Sequence, residues 1–243
     1  PAEPSVSFVV AFVALVATMA LGFLWAVHHA GRLLEEDPDR TRRITRITAV
    51  VTALWLTGTG AAAASGLLAF GPLPPPMIVV FFVMLLGLAA LGLSRFGLRL
   101  ATGLPLALLV GFQAFRIPVE VLLHRAFQEG LAPVQMTYLG FNYDIVTGLA
   151  AAIIGAALAA GRMPRWGVTV WNVLGVLLLT NVVTIAVLSA PGPTRVFTNE
   201  PVNSWVTTLP FVWLPTVLVA LAAFGHILVA RRLVRDRRAA TRR

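Results

Sequence analysis

The chain has 243 residues, of which 58% are hydrophobic and 12% charged, with a mean hydropathy of +0.85; a soluble domain is nearer a quarter charged, so this is the composition of an integral membrane protein. The net charge of +9 comes from arginine alone, since the chain has no lysine, and it also has no cysteine. Those absences exclude disulfides, thiolate nucleophiles, Cys-ligated zinc, iron–sulfur clusters and a lysine Schiff base of the retinal type.

A helix that crosses a bilayer needs about 20 mostly apolar residues, and seven runs qualify, over residues 5–30, 44–70, 77–94, 102–128, 145–161, 166–190 and 206–232. The expected fold is therefore all-α, a single seven-helix transmembrane domain over 1–232 with a basic tail at 233–243. No basic residue precedes the first run, unlike a cleavable signal with its positive leader, so it reads as a retained helix. The second and fifth runs carry small residues, "GTGAAAASG" and Ala151, Gly155 and Ala159 at four-residue spacing, and are expected to form the packed interior. The third run has no polar side chain before Ser94 at its end.

Arginine placement gives the direction. Sixteen of the nineteen arginines fall between runs 1 and 2, 3 and 4, 5 and 6, or after run 7. The opposite connections hold only Arg125 and Arg195, with Arg116 inside a run. By the positive-inside rule the N-terminus is outside and the C-terminus cytoplasmic. The basic tail and first loop are assigned to topology and anionic lipid headgroups, not to nucleic acid. Trp205, Tyr138 and Tyr143 are expected in an outer interfacial belt, and Trp166 and Trp171 in an inner one.

The fourth run contains "GFQAFRIPVEVLLHRAFQEG", residues 111–130. At about 100° per residue, Gln113, Arg116, Glu120 and His124 share a sector of roughly 80° on the helix. Ionisable groups at membrane depth are costly, and they face the protein interior or water. Their spacing allows an Arg116–Glu120 ion pair within the helix, and Pro118 would bend the helix and free a carbonyl near Ala114. The outer ends of neighbouring runs add Asn142, Asp144, Asn181, Arg195, Glu200 and Asn203, and "RVFTNEPVNSW" has the alternation of a tucked segment. The polar stripe is thus expected to line an outward-opening pocket that stops near mid-membrane.

Two classes of role fit that stripe. In the first, Glu120 and His124 exchange protons while Arg116, Gln113, Asn181 and Asn203 hold a small amphipathic or lipid-soluble molecule, Arg116 taking an anionic group. Asp144, Arg195 and Glu200 are further contributors from the loops. That describes a membrane-embedded acid/base enzyme or a receptor. In the second, the charges are packing glue in a structural subunit of a membrane complex, or the gate of a transporter or proton-coupled carrier. Glu120 and His124 would supply two metal ligands where a catalytic site needs three, so no metal site is assigned. His28 or His29 with His226 is the only pairing for a haem, and the cofactor and the oligomeric state stay open.

The segments "FRIPVEVLLH", "NYDIVTGL", "LSAPGPTRVFTNEP" and "PFVWLP" resemble a group of bacterial multi-pass membrane proteins that has no activity attached to it. The resemblance covers residues 111–232. It implies a place in the bacterial cytoplasmic membrane and carries no site residue with it.

Overall fold

The computed structural model describes residues 3–71 and 73–241. It is all-helical, and six of its helical stretches are long and apolar enough to cross a membrane. These are α1 (Val6–Leu33), α2 (Pro38–Ala64), α3 (Pro76–Leu93), a broken helix over Leu106–Gln128, α8 (Arg165–Leu188) and a final helix over Leu214–Thr241. The fifth run, α7 (Asp144–Ala159), is also apolar but only 16 residues long.

Local chemistry sets the ends. Ser5 caps α1 by accepting from the Phe8 amide at 3.3 Å, and Asp37 caps α2 by accepting from Arg40, with Pro38 in the first turn. Both arrangements satisfy amides that have no partner within the helix. Between α3 and the broken helix lies α4 (Arg95–Gly103), capped by Ser94. The sequence places that segment in a connection; it is helical because its own cap and three packed neighbours, α1, α3 and the final helix, hold it.

Sequence periodicity reads 102–128 as one helix, and the structure divides it. After the extended residues Leu104 and Pro105 come α5 (Leu106–Gly111), a 3₁₀ turn at Phe112–Phe115, and α6 (Arg116–Gln128). The 3₁₀ turn falls just ahead of Pro118, where the ring removes an amide and crowds the carbonyl four residues back. The final helix is also irregular, opening with a π-helical turn at Leu214–Val219 before α9 (Ala220–Thr241).

The interior differs from the expectation for runs 2 and 5. In α2 only Thr41, Thr59, Gly60 and Ala63 are buried, so its small residues lie mostly on an open face. The most enclosed span is the final helix, which packs on α3, α4, α5 and α8. On α7 one small face does pack closely, Gly155 meeting Gly111 so tightly that an added Cβ would lie 2.9 Å from the Gly111 Cα. Its other face, with Val146, Leu149 and Ile153, is exposed. A small-residue stripe permits close approach on one side and says nothing of the remaining sides.

Helix ends sort into two poles. One collects the turn at 34–37, α4, the turn at 160–164 and the end of α9, with fourteen of the described arginines. There Arg99 pairs with Glu36 at 2.9 Å and donates to the Val27 carbonyl. Arg231 caps the Gly92 and Ser94 carbonyls, and Arg232 caps those of Ala101 and Leu104. Cations on unpaired helix-end carbonyls are the favourable arrangement for the macrodipole. The other pole holds Arg125 and Arg195 and the loops 129–143 and 189–213.

Two tryptophans assigned to interfacial belts lie elsewhere. Trp205 is buried against Phe8 and Phe211 near the arginine-poor pole, and Trp171 is buried with its indole donating to the Thr147 carbonyl. Trp166 is exposed.

Candidate functional site

Two charged groups of α6 are fully enclosed, Arg116 at 2% exposed and Glu120 at 1%. They do not pair with each other. Arg116 instead reaches α7, its Nε donating to Asp144 Oδ2 at 2.6 Å and its second terminal nitrogen lying 2.5 Å from Oδ1. Asp144 wins because it starts α7 opposite the α6 turn, offering both oxygens to the guanidinium fork, the geometry that Arg–carboxylate pairs favour. A Glu four residues along the same helix offers its carboxylate from one side only.

The third guanidinium nitrogen, Nη1, lies 2.9 Å from His226 Nε2 on α9, and His226 Nδ1 lies 2.9 Å from Asn172 Oδ1 on α8. Arginine only donates, so Nε2 accepts and Nδ1 carries the proton given to Asn172. That ring is neutral. The chain Asp144–Arg116–His226–Asn172 thus joins α7, α6, α9 and α8. Two glycines make room for it. A Cβ on Gly175 would lie 2.4 Å from His226 Cε1, and one on Gly225 would lie 2.2 Å from Gln113 Nε2. Gln113 itself is buried and donates to the Ala222 carbonyl at 3.0 Å.

Glu120 has a different partner. The Asn142 amide donates to both of its oxygens, at 2.9 and 2.8 Å, and also to the Met136 carbonyl. Asn142 Oδ1 accepts from the Asp144 amide at 3.0 Å, satisfying a free N–H at the start of α7. Since that amide must face an oxygen, the side-chain nitrogen is fixed toward Glu120. Among the described residues no cation lies within ion-pair distance of Glu120.

Arg116, Glu120 and Asp144 close one end of a narrow cleft of about 100 Å³. Its walls are apolar, with Phe81 of α3, Leu123 of α6, Val182 of α8 and Leu218 of the π turn among them. Besides the three charged groups, only Asn203 brings a polar side chain. Asn203 is 2% exposed; its nitrogen donates to the Ala186 carbonyl, while its Oδ1 is buried without a partner. On the arginine-poor side, where an outward opening is expected, Met136, Asn203 and Val206 are buried while Phe70 is half-buried. The lining is also half-buried along the gap between α3 and α8, at Ile78, Val183 and Val187, and those two helices pack on the final helix but barely on each other.

Other expected contributors lie outside the cleft. His124 is stacked on Tyr138 at 4.7 Å between ring centres, with Gln128 3.2 Å from its Nε2. Asn181 ties α8 to the Phe141 carbonyl. Arg195 pairs with Glu200 at 2.8 Å and binds three carbonyls of its own loop. That loop is tied down by the Phe197 amide on the Leu188 carbonyl and by Asn199 on Gln135, but Val196 and residues 198–200 are exposed, so it is not the tucked segment that its alternation suggests. Among the described residues no three His, Asp or Glu side chains converge as a metal site would require. The sequence reading leaves out Asn172 altogether and takes His226 as a packing or interfacial residue or a haem partner.

Comparison of the chain with protein-family models, with curated proteins and with solved structures matches none of them.

Proposed function

We propose that this is a seven-span protein of the bacterial cytoplasmic membrane, N-terminus outside, that binds a small amphipathic or lipid-soluble molecule in the cleft. It serves there as an acid/base enzyme or as a receptor. The observation that carries the reading is the pairing of an apolar cleft with buried ionisable groups at one end, the composition expected of a ligand site. Glu120 is the proton-exchanging group. It has hydrogen-bond support from Asn142 and no counter-cation, so its charge state is free to follow what lies in the cleft. Asp144 and Arg116 hold that end of the cleft in place.

The seven-span count rests on α7, at about 1.5 Å per residue roughly 24 Å long, close to a bilayer core of about 30 Å. The outward N-terminus is supported by the arginine-rich pole.

The test is identification by mass spectrometry of small molecules that copurify with the protein in native-membrane discs. Wild type should retain a molecule that Glu120→Gln and the cleft-filling Val182→Trp both lose. Identical profiles for all three would sink the reading. A second reading, structural glue, is favoured by the side-chain chain that ties four helices; it predicts that identical outcome.

A further inference from the structure

The cleft's charges are unbalanced, and the imbalance says what head group it accepts. Arg116 is the one cation at its closed end, and each of its three side-chain nitrogens already faces Asp144 or His226. Against it stand two carboxylates, and His226 is neutral by its hydrogen bonds. The Asn203 nitrogen is committed to Ala186, leaving its Oδ1 as a buried acceptor without a donor. What the lining lacks is positive charge: Arg116 Nη2 makes no hydrogen bond but lies 2.5 Å from an Asp144 oxygen, and what remains for a ligand is Glu120 and the Asn203 oxygen.

We propose that the ligand is a lipid-soluble amine: an apolar chain or ring system carrying a protonated primary or secondary nitrogen. It enters sideways from the hydrocarbon between α3 and α8. The chain lies against Phe81, Leu123, Val182 and Leu218, while the ammonium donates to Glu120 and to Asn203 Oδ1. An anionic head would meet two carboxylates and a guanidinium already ion-paired with one of them, at a depth where unpaired charge is costly. The ammonium supplies the missing positive charge and gives Glu120 and Asn203 Oδ1 the N–H donors that they can accept from. This specificity rests on the cleft being a ligand site at all.

Three probes of one chain length separate the two propositions. Decylammonium, decanol and decyl sulfate are added to the protein in zwitterionic lipid discs, and thermal unfolding is followed by tryptophan fluorescence. Decylammonium should stabilise most, decanol less, and decyl sulfate not at all. In Glu120→Gln the affinity for decylammonium should fall at least tenfold toward that of decanol, without loss of stability in the unliganded protein. Equal or stronger stabilisation by decyl sulfate, or an undiminished decylammonium preference in Glu120→Gln, would overturn the amine while leaving the cleft as a ligand site. If none of the three stabilises the wild type, the ligand-site reading falls with it. The ranking in wild type needs no substitution, so it decides even if the variant folds poorly.

Discussion

Arg116 and Asp144 are a buried pair whose partners cannot be removed one at a time. Arg116→Leu leaves the Asp144 carboxylate without its cation, and such a loss costs about 3–5 kcal/mol. Replacing both with leucine removes the unpaired charge, so Arg116→Leu/Asp144→Leu should recover most of the thermal stability in detergent that the single change loses. Gly175 is the second residue-scale prediction. With a Cβ only 2.4 Å from the His226 ring and 2.9 Å from Thr147, Gly175→Ala should lose about 1–3 kcal/mol by overpacking. Gly87→Ala on α3, where nothing lies within 4 Å, should be neutral or slightly stabilising through helix propensity. Equal melting points for the two variants would contradict the described position of His226. Arg116, Glu120 and Asp144 were legible in the sequence because a charge in or beside an apolar run demands an explanation. Asn172 and His226 were not, because 54 residues separate them and their meeting depends on the rotational setting of α8 against α9. Periodicity within one helix carries no information about that setting.

Helix boundaries show the same division between what is local and what is not. The apolar runs and their punctuation by "EEDPDRTRR", "GPLPPP" and "RMPR" give the long helices, since length and hydropathy decide them locally. The break at Leu104–Pro105 has a local cause in the proline, which removes an amide and holds the residue before it extended, whereas the seat of α4 is settled by contacts with α1, α3 and α9, which no window of sequence contains. The inward face of α2 was missed for that reason too. One tie between elements is testable by pH. Glu129, just past α6, accepts from the Ser5 hydroxyl at 2.6 Å and amide at 2.8 Å, and from Arg125 at 2.7 Å, pinning the start of α1 to the end of α6. Partial burial pushes its carboxyl pKa up, but those hydrogen bonds outweigh it and hold the group below its ordinary value. A depressed carboxyl stabilises the fold above its unfolded pKa, about 4.3, and that contribution is lost as pH falls through the folded value. Glu129→Gln should therefore be less stable than wild type at pH 7, the difference closing below about pH 4. A difference that persists unchanged at pH 3 would assign the tie to something other than the carboxylate.

At the scale of the molecule, the two poles make an orientation prediction. A reporter active only in the cytoplasm should be active when fused after Arg243 and silent when fused after Pro75; the reverse pattern would invert the proposed topology. The poles also have an electrical consequence. Fourteen described arginines lie at one end, against Glu35, Glu36, Asp37, Asp39 and Asp236. Carrying one elementary charge through a potential of 100 mV is worth about 2.3 kcal/mol. With the arginine-rich end cytoplasmic, as proposed, a membrane that is negative inside holds that end in place, and the surplus cations make turning over a climb against the voltage as well as against hydrocarbon. In the opposite orientation the same voltage would pull against the fold, so a charged membrane favours one direction of threading.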